Sequence, residues 1–291
     1  MGATHVIMKD FVPNQVLAMI EKEKISQFFG PPIMYLAMMA VPNFDEYDLS
    51  SVRCFGYGAA PMSANHVRQV IAKFKNDTFF CLCGLTEGGP GGVALAPADQ
   101  IRKAGASGRY IVNMESKLVD GEGNTITEPG VVGELIIKGE TTMKEYYKNP
   151  QATAETIRDG WVYSGDLGVL DEEGYITLVD RKKDMIITGG ENVYSKEIED
   201  VLAEHPMISD AVVIGVPHPD WGETVMVVAV LKPGQQLTLD ELRKFLKTRL
   251  ADYKIPRLLE IVDALPVSAS GKLMKYKLRE RFKDRASGLG A

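Results

Sequence analysis

Three glycine-bearing segments carry residue types that could hold phosphate or move charge. Gly56-Tyr57-Gly58-Ala59-Ala60-Pro61 follows a strand-like run and precedes a helical one, as a dinucleotide-binding loop does. Its last position is Pro61 rather than glycine, and no complete βαβ unit with a ribose-binding acid follows at the expected distance, so that chemistry is set aside. Gly271-Lys272 has the ending of a phosphate-cradling Walker loop. Pro266 occupies the required glycine position, however, and no Ser or Thr follows the lysine. Gly84-Leu85-Thr86-Glu87-Gly88-Gly89 places a hydroxyl next to a carboxylate after an apolar run; taken alone, it reads as a strand-exit turn.

The elements that must position these loops belong to a soluble globular chain. Its 291 residues suffice for two domains and more than one core, and 45% hydrophobic with 25% charged residues is ordinary for such a protein. A net charge of -6 disfavours a nucleic-acid partner, whose phosphates call for a basic face. Cys54, Cys81 and Cys83 cannot all pair, and no second cysteine pair or His-x-x-x-His spacing indicates zinc. They read as buried, reduced thiols of a cytoplasmic protein. The most apolar stretch, residues 31–41, is too short to span a bilayer and lacks a cationic lead-in; it reads as a core helix opened by proline. After Arg279 the chain reads as a frayed tail, first basic and then glycine-bearing.

Residues 13–24 read as a helix, and residues 25–29, 51–57 and 78–83 as strands. Val67, Val70, Ile71 and Phe74 fall at i, i+3, i+4 and i+7, one apolar helical face, with Ser63 where an N-cap belongs. This alternation predicts an α/β layer with a largely parallel sheet. From 108 to 180 the texture changes to short strands joined by turns at Asp120-Gly121-Glu122-Gly123-Asn124 and Asp171-Glu172-Glu173-Gly174. The charge cluster Asp180-Arg181-Lys182-Lys183-Asp184 separates two textures and is taken as a boundary. Beyond it, Ile198, Val201 and Leu202 mark one helix, and Leu242, Phe245, Leu246 and Leu250 another. Strands are expected at 211–216, 224–231 and 258–262. The expected fold is therefore α/β: a partial parallel-sheet layer to about residue 107, a β-rich subdomain at 108–180, and a small α+β domain at 181–291.

No single loop decides the chemistry, but their order does. Gly58-Ala59-Ala60-Pro61, Gly84-Leu85-Thr86-Glu87, Gly133-Glu134-Leu135, Tyr163-Ser164-Gly165-Asp166-Leu167, Asp180-Arg181-Lys182-Lys183-Asp184, Gly189-Gly190-Glu191-Asn192 with Glu197-Ile198-Glu199, and Ser270-Gly271-Lys272 follow one another along the chain. Together they resemble the adenylate-forming superfamily of acyl-CoA synthetases, peptide-synthetase adenylation domains and firefly-type luciferases. The form Gly189-Gly190-Glu191-Asn192 looks like that of fatty and aryl acid ligases. The resemblance implies an ATP-dependent acid–thiol ligase that makes an acyl-adenylate and then an acyl-CoA. Residues 28–34 and 88–92 are expected to border the acyl tunnel, and their small side chains, which leave room for a chain, favour a fatty acid over an aromatic acid.

The chemistry behind this resemblance is a charge problem. A carboxylate is a poor electrophile, so it is converted to a mixed anhydride with AMP, and cations must offset the charge where two anions meet. By resemblance, Lys272 bridges the acid and the phosphate oxygens, a task that suits a compact ammonium. Asp166 looks like the acceptor for the ribose diol, and Arg181 like a second ribose contact. Thr86 would bind the α-phosphate and Glu87 would help to hold Mg²⁺. Gly58, Ala59, Ala60 and Pro61 would cover the adenine, with Cys83, Gly84 and Leu85 completing the nucleotide site. Lys183 occupies the hinge position, and Gly189 and Gly190 would line the entry for the pantetheine of coenzyme A. The implied partners are a small carboxylic acid, ATP and coenzyme A, with neither a nucleic acid nor a transmembrane segment.

Three departures bear on this reading. The Thr/Ser/Gly-rich phosphate loop of the family is absent, so the chain reads as the carboxyl-terminal half of a member of about twice its length. Cys83 stands where an adenine-stacking aromatic is expected, and Glu145 where a glycine usually precedes the Tyr-Tyr pair. The alternative of a different class is a non-catalytic nucleotide- or partner-binding remnant of the same fold, and an upstream reading frame holding the phosphate loop would distinguish the two. If the charge cluster is a domain boundary, limited trypsin digestion should cut first near Lys182-Lys183 and release a folded carboxyl-terminal piece. Protection of that segment, with first cuts elsewhere, would remove the boundary.

Overall fold

The computed structural model describes residues 2–89, 91–268 and 273–286. Helix α1 (Pro13–Glu23) opens on a proline, whose missing N–H is not needed there, and stops at Lys24 in the left-handed region (φ 49°). Strand β1 (Gln27–Gly30), helix α2 (Pro32–Met39), strand β2 (Cys54–Gly58), helix α3 (Ala64–Phe74) and strand β3 (Phe79–Gly84) follow. β1, β2 and β3 are parallel neighbours, with Phe28 opposite Phe55 and Phe55 opposite Phe79. Each begins one to three residues later than expected, and the residues leading into β1 and β2 are held by side chains. The Ser51 hydroxyl donates to the Ile25 carbonyl and the Asn76 amide to the Val52 carbonyl, both at 3.0 Å. The Ser63 hydroxyl accepts the His66 N–H at 3.3 Å and caps α3 as its residue type predicts.

Phe55 and Phe79 stack at 4.9 Å between centroids, and Tyr35 and Phe74 meet them edge-on or tilted. The buried Tyr35 hydroxyl donates to the Gly56 carbonyl at 2.5 Å. Strands β4 (Gly92–Leu95) and β5 (Arg109–Tyr110) extend this sheet antiparallel, so it is parallel at one side and antiparallel at the other. It also reaches into the segment expected to be a separate β-rich region.

A second sheet comprises β6 (Glu115–Val119), β7 (Thr125–Ile126), β8 (Val132–Lys138), β9 (Ile157–Arg158), β10 (Trp161–Leu170) and β11 (Ile176–Arg181), with helix α4 (Pro150–Thr156) preceding β9. Its order is β11-β10-β8-β6-β7, with β9 on β10. The two aspartates seen in the turn motifs build the turns themselves. Asp120 accepts the N–H groups of Glu122 and Asn124, and Asp171 those of Glu173 and Tyr175, at 2.8–2.9 Å.

The third sheet runs β13-β12-β15-β14, from β12 (Ile186–Thr188), β13 (Glu191–Val193), β14 (Ile208–His218) and β15 (Gly222–Leu231), with β16 (Leu258–Ile261) parallel to β15. Helices α5 (Ser195–Leu202) and α6 (Leu239–Lys247) contribute Ile198, Leu202, Leu242 and Leu246 to a core with Val213, Val225 and Val227. Helix α7 (Lys275–Phe282) lies with the opposite face, where Leu278, Phe282 and Ala286 are buried with Val212, Ile214, Met226 and Val228. As far as Ala286 this corrects the expectation of a frayed tail after Arg279; residues 287–291, the glycine-bearing part of that tail, lie outside the described residues. The buried positions recur every four residues, a helical period that the surrounding lysines and arginines mask.

The chain divides into two compact units, residues 1–164 with 168–178, and residues 165–167 with 179–291. Among the described residues no helix is long and apolar enough to cross a membrane. Phe55 is 0% exposed at the centre of the aromatic cluster, whereas Ile7 is 88% exposed. Phe55→Ala should therefore cost about 3–5 kcal/mol, and Ile7→Ala should stay within about 0.5 kcal/mol. Urea unfolding curves of the two variants check both values; equal shifts would contradict the core assignment.

Candidate active site

β2 and β3 are parallel, so the segments Gly58-Ala59-Ala60-Pro61 and Gly84-Leu85-Thr86-Glu87 emerge from the same, carboxyl end of neighbouring strands. In α/β sheets that edge is where ligands bind. A Cβ on Gly58 would run into the Leu82 carbonyl oxygen, and one on Gly84 into the Gly91 carbonyl oxygen. Both glycines are thus required by close backbone approach. Ala59 holds φ 63° without being glycine, a strained conformation of the sort found at functional turns. Ala60 and Pro61 are exposed, and the loop leads directly into the capped start of α3.

Thr86–Gly88 is one turn of 3-10 helix in which Thr86 is exposed and Glu87 half-buried. The segment after β8 clasps it. The Met143 N–H donates to the Glu87 carbonyl at 2.7 Å, the Thr141 hydroxyl to the Gly88 carbonyl at 3.0 Å, and the Tyr146 hydroxyl to the Glu87 carboxylate at 2.6 Å. The bond to that carboxylate, with burial behind it, raises the Tyr146 phenol above its ordinary range, so the phenol stays protonated as a donor. No group of three or more His, Cys, Asp or Glu side chains that could hold a metal occurs among the described residues. One fixed carboxylate beside a hydroxyl nevertheless fits Mg²⁺, a hard ion that keeps several waters and takes its other ligands from substrate phosphates.

Asp166 lies in β10 and Arg181 ends β11. The Arg181 Nε donates to Asp166 Oδ1 at 2.9 Å, and the Lys182 N–H to the Gly165 carbonyl at 2.8 Å. Two residues fifteen positions apart thus form one charged pair. Lys183, next along, is exposed. Asp180 is directed to the second unit's own helix, accepting the Ser195 N–H at 2.5 Å and the Ser195 hydroxyl at 2.8 Å. Asp184 pairs with Arg279 of α7. Lys275 bonds Ser195 at 2.5 Å and pairs with Glu199 at 2.8 Å.

Gly189 and Gly190 join β12 to β13, with Thr188 opposite Glu191. Both have positive φ, 58° and 86°, the requirement of a two-residue hairpin turn that twists with its strands. Nothing lies within 4 Å of a Cβ built at either position, so the glycines answer to backbone conformation and leave open space beside them. The Gly189 N–H donates to the Trp221 carbonyl at 3.0 Å. The Trp221 indole carries the Arg257 guanidinium at 3.0 Å over one ring centroid and stacks with His218 at 4.5 Å. His218 Nδ1 accepts the Asp220 N–H at 3.2 Å, while its buried Nε2 has no hydrogen-bond partner among the described residues. Sequence reading missed this aromatic and cationic group. A tryptophan at a turn between two apolar runs, with only two in the chain, is the signal that could have found it.

Of the sites expected from sequence, the structure brings the Gly58 and Gly84 loops together on one sheet edge, and Asp166 to Arg181. Cys83 is half-buried on β3 and only Cys81 is buried, which corrects the expectation that all three cysteines are. Lys272, with Ser270 and Gly271, lies outside the described residues.

Residues 1–147 match the family model of the AMP-binding enzyme, and residues 197–272 that of the AMP-binding enzyme C-terminal domain. The chain is 40% identical over 281 residues to a feruloyl-CoA synthase from Amycolatopsis sp, covering 97% of this chain and 57% of the relative. It is 36% identical over 283 residues to a long-chain-fatty-acid–CoA ligase from Bacillus subtilis (strain 168), covering 96% and 50%. It is also similar to the solved structure of o-succinylbenzoate CoA synthetase from Bacillus subtilis in complex with the acyl-adenylate intermediate OSB-AMP, with a TM-score of 0.81, 32% identity and coverage of 94% and 54%. The chain spans about half the length of these relatives. A mixed α/β fold that delivers two glycine-ended loops to one sheet edge, with both family models matched in chain order, makes this chain a member of the AMP-binding, adenylate-forming enzyme family.

Proposed function

We propose that this chain supplies the nucleotide-binding edge and the second, smaller unit of an acyl-CoA synthetase, which forms an acyl-adenylate and then transfers the acyl group to coenzyme A. The observation that carries the reading is the Asp166–Arg181 pair at 2.9 Å, in which a cation at the end of β11 fixes a carboxylate on β10. Such a carboxylate accepts hydrogen bonds from both hydroxyls of a ribose. Thr86 donates to the α-phosphate, and Glu87, held by Tyr146, presents its carboxylate to Mg²⁺. When bound, Mg²⁺ offsets phosphate charge as the two anions approach.

Lys272 brings its ammonium to the acid and the α-phosphate for the first half-reaction. The Gly189-Gly190 turn admits the thiol for the second, with the Arg257 guanidinium, held over Trp221 beside it, suited to the phosphates of coenzyme A. Lys183 serves as the hinge between the two steps, and the location is cytoplasmic. The substrate acid is a fatty acid. Phe29 and Ile33 expose apolar surface, with Phe80 at 6.1 Å from Phe29 and both rings packed onto Gly56, where a Cβ would meet them.

Two experiments test the reading. In a full-length adenylate-forming enzyme carrying this chain, Lys272→Ala should lower adenylate formation by about 10²–10³ and leave thiolysis of supplied acyl-adenylate in place. Gly189→Asn should do the reverse, because Asn-Gly keeps the positive-φ turn while placing a side chain in the open space. Parallel loss of both half-reactions in either variant would defeat the assignment. With the chain alone, calorimetry should find AMP binding in the roughly millimolar range, lost in Asp166→Ala. Unchanged binding in that variant would make the chain something other than a ribose-reading module.

A further inference from the structure

Cys81 and Cys83 stand two residues apart on β3, so both side chains leave the same face of the strand. Their sulfurs are 3.6 Å apart. The two surroundings differ. Cys81 is 3% exposed and packs in the first core with Tyr57 and Phe79. The hydrogen bond to Cys83, and then burial, push its thiol above the ordinary range. Cys83 is half-buried, borders two apolar clusters of the first unit, and precedes the exposed Gly84. Of the two thiols, Cys83 is the one an external reagent reaches, since Cys81 is buried behind it.

We propose that Cys83 is a thiol modification site for low-molecular-weight disulfides, with Cys81 as the thiol that resolves the adduct. The Cys83 thiolate attacks one sulfur of the external disulfide, whose S–S bond breaks, and the first small thiol leaves with the proton that Cys83 gave up. Cys81 then attacks the Cys83 sulfur. Its proton passes to the departing thiolate, the mixed disulfide breaks, and a Cys81–Cys83 bond forms. Two protein thiols are oxidised and one external disulfide is reduced to two thiols. The sulfurs already stand near the distance of about 3–3.5 Å from which bonds form. Residues i and i+2 of a strand place their Cα atoms about 6.6 Å apart, near the wide limit of about 6.8 Å for a disulfide. The product is therefore strained, and thiols reverse it readily.

Cys54 serves as an internal control, because its thiol donates to the Thr78 carbonyl at 3.5 Å rather than to a sulfur. The folded chain is treated with oxidised glutathione, alkylated with iodoacetamide and mapped by peptide mass spectrometry. The peptide holding Cys81 and Cys83 should lose two hydrogens and take up no alkyl group, while Cys54 is alkylated. Cys81→Ser should retain glutathione on Cys83, and Cys83→Ser should leave Cys81 unmodified. Titration of the unmutated protein with phenylarsine oxide, one equivalent bridging two thiols with loss of water, keeps the test open if a variant fails to fold. Glutathione persisting on Cys83 of the unmutated chain, oxidation of Cys54 at the same rate, or failure of one arsenic equivalent to remove two thiols would each overturn the proposal.

Discussion

β2 runs so close to the Leu82 carbonyl that residue 58 has no room for a Cβ, and β3 meets the same limit two residues beyond Leu82, at Gly84. The architecture of the first unit depends on this approach. Parallel pairing of β1, β2 and β3 is held on one face by the Phe55–Phe79 stack, with Tyr35 locking a hydrogen bond onto Gly56. With the strands fixed, the two loops leave one edge at a set separation, and Ala59 is held at positive φ. The strain at Ala59, about 1–3 kcal/mol for such a conformation, persists because the strand beneath it is over-determined.

A comparable economy operates around Glu87. One segment after β8 satisfies the backbone of the turn through Met143 and Thr141 and steers the carboxylate through Tyr146. A short 3-10 turn has little rigidity of its own. The clasp supplies it, so the orientation of an acidic side chain on one sheet edge is controlled by the loop that leaves β8 of the second sheet. In the second unit, Ser195 does similar work between Asp180 and Lys275, tying the residues that precede and follow it in the chain to the start of α5.

Much was legible in the sequence because the signals are local. Proline at the start of α1 and α2, serine at the cap of α3, and aspartate at two hairpin turns act within four residues of their own position, so residue type alone dictates the geometry. The ordered motifs identify the family in the same way, since each is a short string. Helix α7 was not legible, because its buried Leu278 and Phe282, with Ala286 just beyond it, are diluted by basic residues and only the facing β14–β15 surface gives them meaning.

The sequence by itself determined which residues could do chemistry and in what order they occur. Tertiary structure alone decided that Asp166 meets Arg181, that Tyr146 holds Glu87, and that Trp221 stands beside the Gly189-Gly190 turn. These are contacts between residues tens of positions apart in most cases, and strand register and sheet order create them. No local periodicity encodes either. The Gly189-Gly190 pair shows the division at one place: the sequence fixes a turn through the φ that only glycine adopts freely, and the fold decides that the space beside it is open.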